Sequence, residues 1–113
     1  MPRLYFASPR DLPLARAIPG VTRHVLQTER TTVAITDYEP KTVIETHKHD
    51  AEQTGVVVKG SVVFVIAGEQ RILTPGDTYR VPSGASHGAR ILEAAARVIE
   101  VWSPPREDLP KAT

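Results

Sequence analysis

The sequence predicts an all-β protein of a single domain, and three observations carry that prediction. Short runs rich in Val, Ile, Thr and aromatic residues recur along most of the chain. Breakers containing Gly or Pro separate them at close intervals. At 113 residues the chain fits one domain, and only "ILEAAAR" hints at helix, in a stretch short enough to be a loop.

Residues 1–20 read as an irregular arm, because prolines at 2, 9, 13 and 19 and a closing Gly20 prevent a long helix. Residues 21–103 read as a β-barrel or sandwich, with strands expected in "VTRHVLQT", "TTVAITDYE", "TVIETH", "TGVVVKG", "SVVFVIAG", "RIL", "TYRVP" and "ARVIEVW". Turns are expected at Pro40-Lys41, Lys59-Gly60, Gly68-Glu69, Pro75-Gly76-Asp77 and Pro82-Ser83-Gly84. The run "SVVFVIAG" is core, since continuous apolar β-branched residues need burial on both faces. Residues 104–113 form a tail expected to be extended, because consecutive prolines favour polyproline geometry. No repeat of 20 to 50 residues is present.

Fourteen basic and thirteen acidic residues nearly cancel, so the charge makes no case for nucleic acid or an anionic membrane. The absence of cysteine removes disulfides, thiolate nucleophiles and zinc–sulfur sites. The first twenty residues carry no apolar signal core or membrane span, which predicts a cytoplasmic protein. Open β-edges need protection, and the arm is a candidate for covering an edge or exchanging strands in a homodimer.

His47 and His49 stand two apart at the end of an expected strand, so alternation turns both imidazoles to one face. Two neutral imidazoles are half of a typical first-row metal site. His87 follows 38 residues after His49, where an adjacent strand can return it to the same place. An isolated H-x-H is more often an idle, solvent-facing pair; here the surrounding spacing decides otherwise.

"HKHDAEQTGVVVKG" resembles the first cupin motif, and "GDTYRVPSGASHGAR" resembles the second, with Gly76, Pro82, Gly84 and His87 in register. The resemblance implies a double-stranded β-helix, the jelly-roll barrel of the cupins. It also implies a metal held by His47, His49, Gln53 and His87, with Gln53 where the family has an acid. Glu52 is the neighbouring alternative for that fourth position. Nickel, zinc, manganese and iron all suit such ligands. Lys41 occupies a position where the family usually has glycine, so its turn must tolerate a side chain. Ile91 replaces an asparagine that often closes the second motif. Three imidazoles and an amide leave the ion its full double charge, which favours non-redox chemistry on an acidic small molecule.

In "RVIEVWSPPREDL", Val98, Glu100 and Trp102 share one face of a strand. A glutamate among apolar residues is solvated, paired or functional. Facing the barrel, Glu100 would serve as general acid or base, Trp102 as a wall for a sugar ring, and Arg106 as a fork for a carboxylate. The alternative puts Glu100 on the outer face, Trp102 in the core, and Arg106 in an ion pair with Glu107 or Asp108. The stretch is also similar to the KdgF branch of small cupins, which act in pectin degradation. That similarity implies ring opening of 4,5-unsaturated uronate monomers to linear keto-acids. Glu100 and Arg106 would be the catalytic pair, although an aspartate and a phenylalanine are commoner at positions 100 and 102. The implied partner is a small acidic molecule such as a sugar acid. Competing readings are a polyketide cyclase, a lyase or dioxygenase, or a cupin that only binds a sugar or metal. His24, Tyr79, Arg80 and Arg90 are explained as well by surface placement or strand packing.

Overall fold

The computed structural model describes residues 5–16 and 18–111; the start of the arm, Ala17 and the last two residues of the tail lie outside them. Among the described residues two antiparallel sheets face one another. The first has six strands in the order β1 (Leu14–Ala15), β2 (Val21–Gln27), β3 (Thr32–Tyr38), β10 (Ala96–Ser103), β5 (Glu52–Lys59) and β8 (Thr78–Val81). The second has four, in the order β4 (Val43–His47), β9 (His87–Ile91), β6 (Val62–Ile66) and β7 (Glu69–Leu73). Both sheets take strands from distant parts of the chain, as a jelly roll requires. No described helix is long and apolar enough to cross a membrane.

The strand assignments follow from alternation. On β3 and β10 every second residue is buried, so Thr32, Ala34, Thr36 and Tyr38 face Ala96, Val98, Glu100 and Trp102 inside the barrel. The apolar part of that interior is filled from both sheets, by Val57, Val81 and Val98 on one side and Val62, Phe64 and Ile91 on the other. The expected core run on β6 is buried from Val62 to Phe64. A second apolar cluster, of Val25, Ala34, Trp102 and Leu109, closes one end.

Three features differ from the sequence reading. Strand β9 forms over "HGARI", which has little β propensity of its own; pairing with β4 and β6 on its two sides creates it. The arm is not wholly irregular, since Leu14–Ala15 pairs with Arg23 and His24 and covers the edge of β2 within the same chain. The tail turns instead of remaining extended. Burying Leu109 in the second cluster draws it inward, and the Gln27 amide donates to the carbonyls of Arg106 and Leu109. "ILEAAAR" is a loop leading into β10.

Candidate metal centre

His47 ends β4 and lies opposite His87, the first residue of β9, across the four-stranded sheet. Their ring centroids are 4.2 Å apart, and His49, two residues on, stands 4.7 Å from His87. One ligand atom from each of the three falls within 4.8 Å of the others, so together they could hold a metal ion. The loop carrying His49 is tied down from below, because Gly84 of the second motif donates its N–H to the His49 carbonyl at 2.9 Å. Gly84 has φ +78°, a conformation that suits glycine.

The tautomers follow from the backbone. Nδ1 of His47 lies 2.8 Å from the Glu45 carbonyl, Nδ1 of His49 2.8 Å from that of Ala51, and Nδ1 of His87 3.0 Å from that of Ala85. Carbonyls only accept, so each Nδ1 carries a proton, and in the neutral imidazole Nε2 then offers a lone pair. The His87 Nε2 is buried and has no hydrogen-bond partner. Burial also lowers the His87 pKa, with the other two imidazoles adding to the effect against the opposing Ala85 hydrogen bond. A neutral imidazole with an orphaned Nε2 is what a metal ligand needs.

Gln53 is buried on β5 and extends the set, whereas Glu52 is exposed on the opposite face of the strand. The amide oxygen of Gln53 is 3.1 Å from His49 Nε2. With the His49 proton on Nδ1, these are two acceptors facing each other, an arrangement that a cation between them would relieve. Three Nε2 atoms and one amide oxygen thus fit a divalent ion, and the donors are all neutral.

Beneath this cluster lies Glu100, 3% exposed on the inward face of β10. Its Oε1 accepts from Thr36 Oγ1 at 2.6 Å and lies 3.5 Å from Arg23 Nε. Its Oε2 accepts from Tyr38 at 3.0 Å, Tyr79 at 3.2 Å and the Gln53 amide nitrogen at 3.3 Å. Burial, and then the charge of Glu100, raise the pKa of both tyrosines well above the ordinary value, so both hydroxyls stay protonated and donate. Trp102 is 1% exposed and gives its indole N–H to the Gln53 oxygen at 2.8 Å. The guanidinium carbons of Arg23 and Arg106 lie 5.5 and 4.8 Å from the centre of the Trp102 ring. Arg106 makes a bidentate pair with Asp108 at 3.1 and 2.6 Å, which lowers the Asp108 pKa.

The structure therefore gathers His47, His49, Gln53, His87, Glu100, Trp102 and Arg106 around one cavity. Glu100 faces inward, but Trp102 belongs to the core and offers no open face, and Arg106 already holds a carboxylate. Sequence reasoning missed Arg23, Thr36 and Tyr38 and set Tyr79 aside. Arg23 was accessible by the argument used for Glu100, since it shares the inward face of β2 with Val21 and Val25.

The family profile for the cupin domain matches residues 34–102. The chain belongs to the cupin family. This cupin is 43% identical over 63 residues to the pectin degradation protein KdgF of Dickeya dadantii (strain 3937), a match spanning 55% of this chain and 57% of that protein. The chain therefore aligns with little more than half of that relative. The structure of KdgF from Halomonas sp. superposes with a TM-score of 0.86 at 30% identity, over 94% of this chain and 98% of that one. The polyketide cyclase RemF from Streptomyces resistomycificus shares the fold, with a TM-score of 0.79 at 20% identity over 93% and 82% of the two chains. Both resemblances read from the motifs, to cupins and to KdgF, are borne out.

Proposed function

We propose that this cupin opens the ring of 4,5-unsaturated uronate monomers and delivers the linear keto-acid. The observation that carries the reading is a buried carboxylate, Glu100, joined through the Gln53 amide to His49, one of three clustered imidazoles in the same cavity. The kinship with KdgF, a pectin degradation protein, supplies the substrate class.

On this reading His47, His49, Gln53 and His87 hold one divalent ion. Such an ion, keeping its full charge among neutral ligands, would polarise the ring oxygen or a neighbouring hydroxyl. Glu100 takes the proton of the anomeric hydroxyl as the C1 carbonyl forms and the bond from C1 to the ring oxygen breaks. The ring oxygen leaves as an enolate, and the proton that Glu100 took ends on C4, so substrate and product are isomers and no water is consumed. Glu100 serves that transfer too, while Thr36, Tyr38, Tyr79 and Arg23 hold its carboxylate in one orientation. Arg106 receives the substrate carboxylate by exchanging it for Asp108. Trp102 backs the Arg106 guanidinium from the core.

The test is loss of ultraviolet absorbance from 4,5-unsaturated galacturonate, with protein, without it, and after chelation. Acceleration that chelator abolishes and metal restores is the expected result; none with metal supplied would sink the assignment. A Glu100→Gln protein separates an enzyme from a binding module, because only an enzyme would lose turnover while retaining its ligand. The same reading includes cytoplasmic residence and pairing with a second copy. Light scattering that returned the mass of a single chain would remove the pairing.

A further inference from the structure

We propose that Trp102 is a positioning residue for the metal centre: its indole N–H holds the Gln53 amide oxygen in place on the side of the three histidines. The inference rests on the metal-binding half of the function proposed above and is independent of the uronate half.

An amide side chain can present either its oxygen or its nitrogen to a given neighbour, and rotation by half a turn exchanges them. Here both ends are constrained. The indole N–H only donates, so the Gln53 atom 2.8 Å from it is the oxygen. An ionised carboxylate only accepts, so the atom 3.3 Å from Glu100 Oε2 is the nitrogen. Tyr79 takes the second N–H of the amide at 2.9 Å. The oxygen has two lone pairs: Trp102 occupies one, and the other faces His49 Nε2 at 3.1 Å, on the side of the imidazole cluster.

The placement of Trp102 comes from the sheet. Trp102 and Gln53 are direct partners across β10 and β5, which puts their inward side chains next to each other. Trp102 is itself immobilised by Val25, Ala34 and Leu109 in the apolar cluster. The donor that orients the ligand is thus held by packing, the arrangement by which groups behind a metal ligand control its geometry. With the N–H removed, Glu100 and Tyr79 still favour the same amide orientation. The oxygen, however, loses the partner that holds it in place, and part of the metal's binding energy goes into ordering the side chain.

The experiment is nickel titration against a chromophoric chelator. It compares the unaltered protein, Trp102→Phe, and a protein carrying benzothienylalanine at position 102, which replaces the N–H by sulfur and keeps the ring shape. Roughly tenfold weaker nickel binding is expected in both replacements, the lower end of the usual effect of such second-layer groups. The benzothienyl protein decides the matter if Trp102→Phe fails to fold. In a Gln53→Ala background the same replacement should leave nickel affinity unchanged, because Trp102 acts only through the amide. Affinity within twofold of the unaltered protein would overturn the inference, as would an equal loss in the Gln53→Ala background. Failure of the unaltered protein to bind nickel would remove the metal centre and this inference together. Failure to turn over uronates would leave both standing.

Discussion

Glu100 illustrates how much can rest on one side chain. Its carboxylate is buried, yet four neutral donors and one guanidinium surround it, so its charge is compensated on every side the barrel offers. Arg23 is the only cation within ion-pair distance of it among the described residues. Arg23→Met should therefore cost about 2–3 kcal/mol at neutral pH, because the carboxylate stays buried without its counter-charge. Urea unfolding measures this, and a loss below about 0.5 kcal/mol, typical of an inconsequential surface change, would refute it. Gln53→Glu makes the complementary point. It would set a second carboxylate where an amide nitrogen now donates to Glu100 at 3.3 Å. In the metal-free variant the pair retains a proton, so its folded-state pKa rises above that of an unfolded carboxyl. Stability is then lost as pH rises through that raised value and recovered on acidification. Melting curves across pH should show the deficit relative to the parent largest at neutral pH; a deficit independent of pH would contradict the charge argument. Glu100 and the histidines were legible because an acid on an apolar strand face and a spaced H-x-H are local patterns. The role of Trp102 was not, since its N–H meets Gln53 only across two strands 49 residues apart in sequence.

Among the elements, β5 and β8 show how a glycine serves a network. Gly55 is the cross-strand partner of both Tyr79 and Glu100, and a Cβ built on it would lie 2.5 Å from Tyr79 Cε1 and 2.7 Å from its hydroxyl oxygen. Its missing side chain is the space through which the tyrosine reaches Glu100 and Gln53. Gly55→Ala should cost about 1–3 kcal/mol as an overpacked core position, and the cost should shrink in a Tyr79→Leu background. An undiminished cost in that background would show that Tyr79 is not the group displaced. The turn before β4 carries strain of another kind. Lys41 adopts φ +65°, the left-handed conformation that disfavours any residue with a Cβ by about 1–2 kcal/mol. Lys41→Gly relieves that strain, the greater freedom of the unfolded chain offsets part of the gain, and a net stabilisation of up to about 1 kcal/mol is expected. The lost contact with Glu93 matters little, because both partners are largely exposed. A lowered melting temperature would overturn this. Strands with β-branched runs were readable from sequence alone. Strand β9 was not, because "HGARI" becomes a strand only between β4 and β6, and the turned tail depends on a cavity that Leu109 fills.

For the whole molecule, the placement of the ligands across the two sheets has a mechanical consequence. His47 and His87 belong to the four-stranded sheet, Gln53 to the six-stranded sheet, and His49 to the loop between β4 and β5. A metal bound by all four would therefore clasp the sheets together at one end of the barrel, adding to the apolar packing between the two sheets in the interior. Binding to the folded state and not to the unfolded chain raises stability by mass action, by about 2.7 kcal/mol when free metal exceeds the dissociation constant a hundredfold. Nickel should accordingly raise the melting temperature, and a chelator should reverse the rise. Hydrogen exchange locates the effect: slowing is expected on β4 and β9 of one sheet and on β5 of the other. Because Gln53 is the only ligand from the six-stranded sheet, Gln53→Ala should abolish the slowing on β5 while leaving part of that on β4 and β9. If nickel slowed exchange on the four-stranded sheet alone in the unaltered protein, the histidines would bind metal without the amide. The centre would then sit on one sheet and would not join the two.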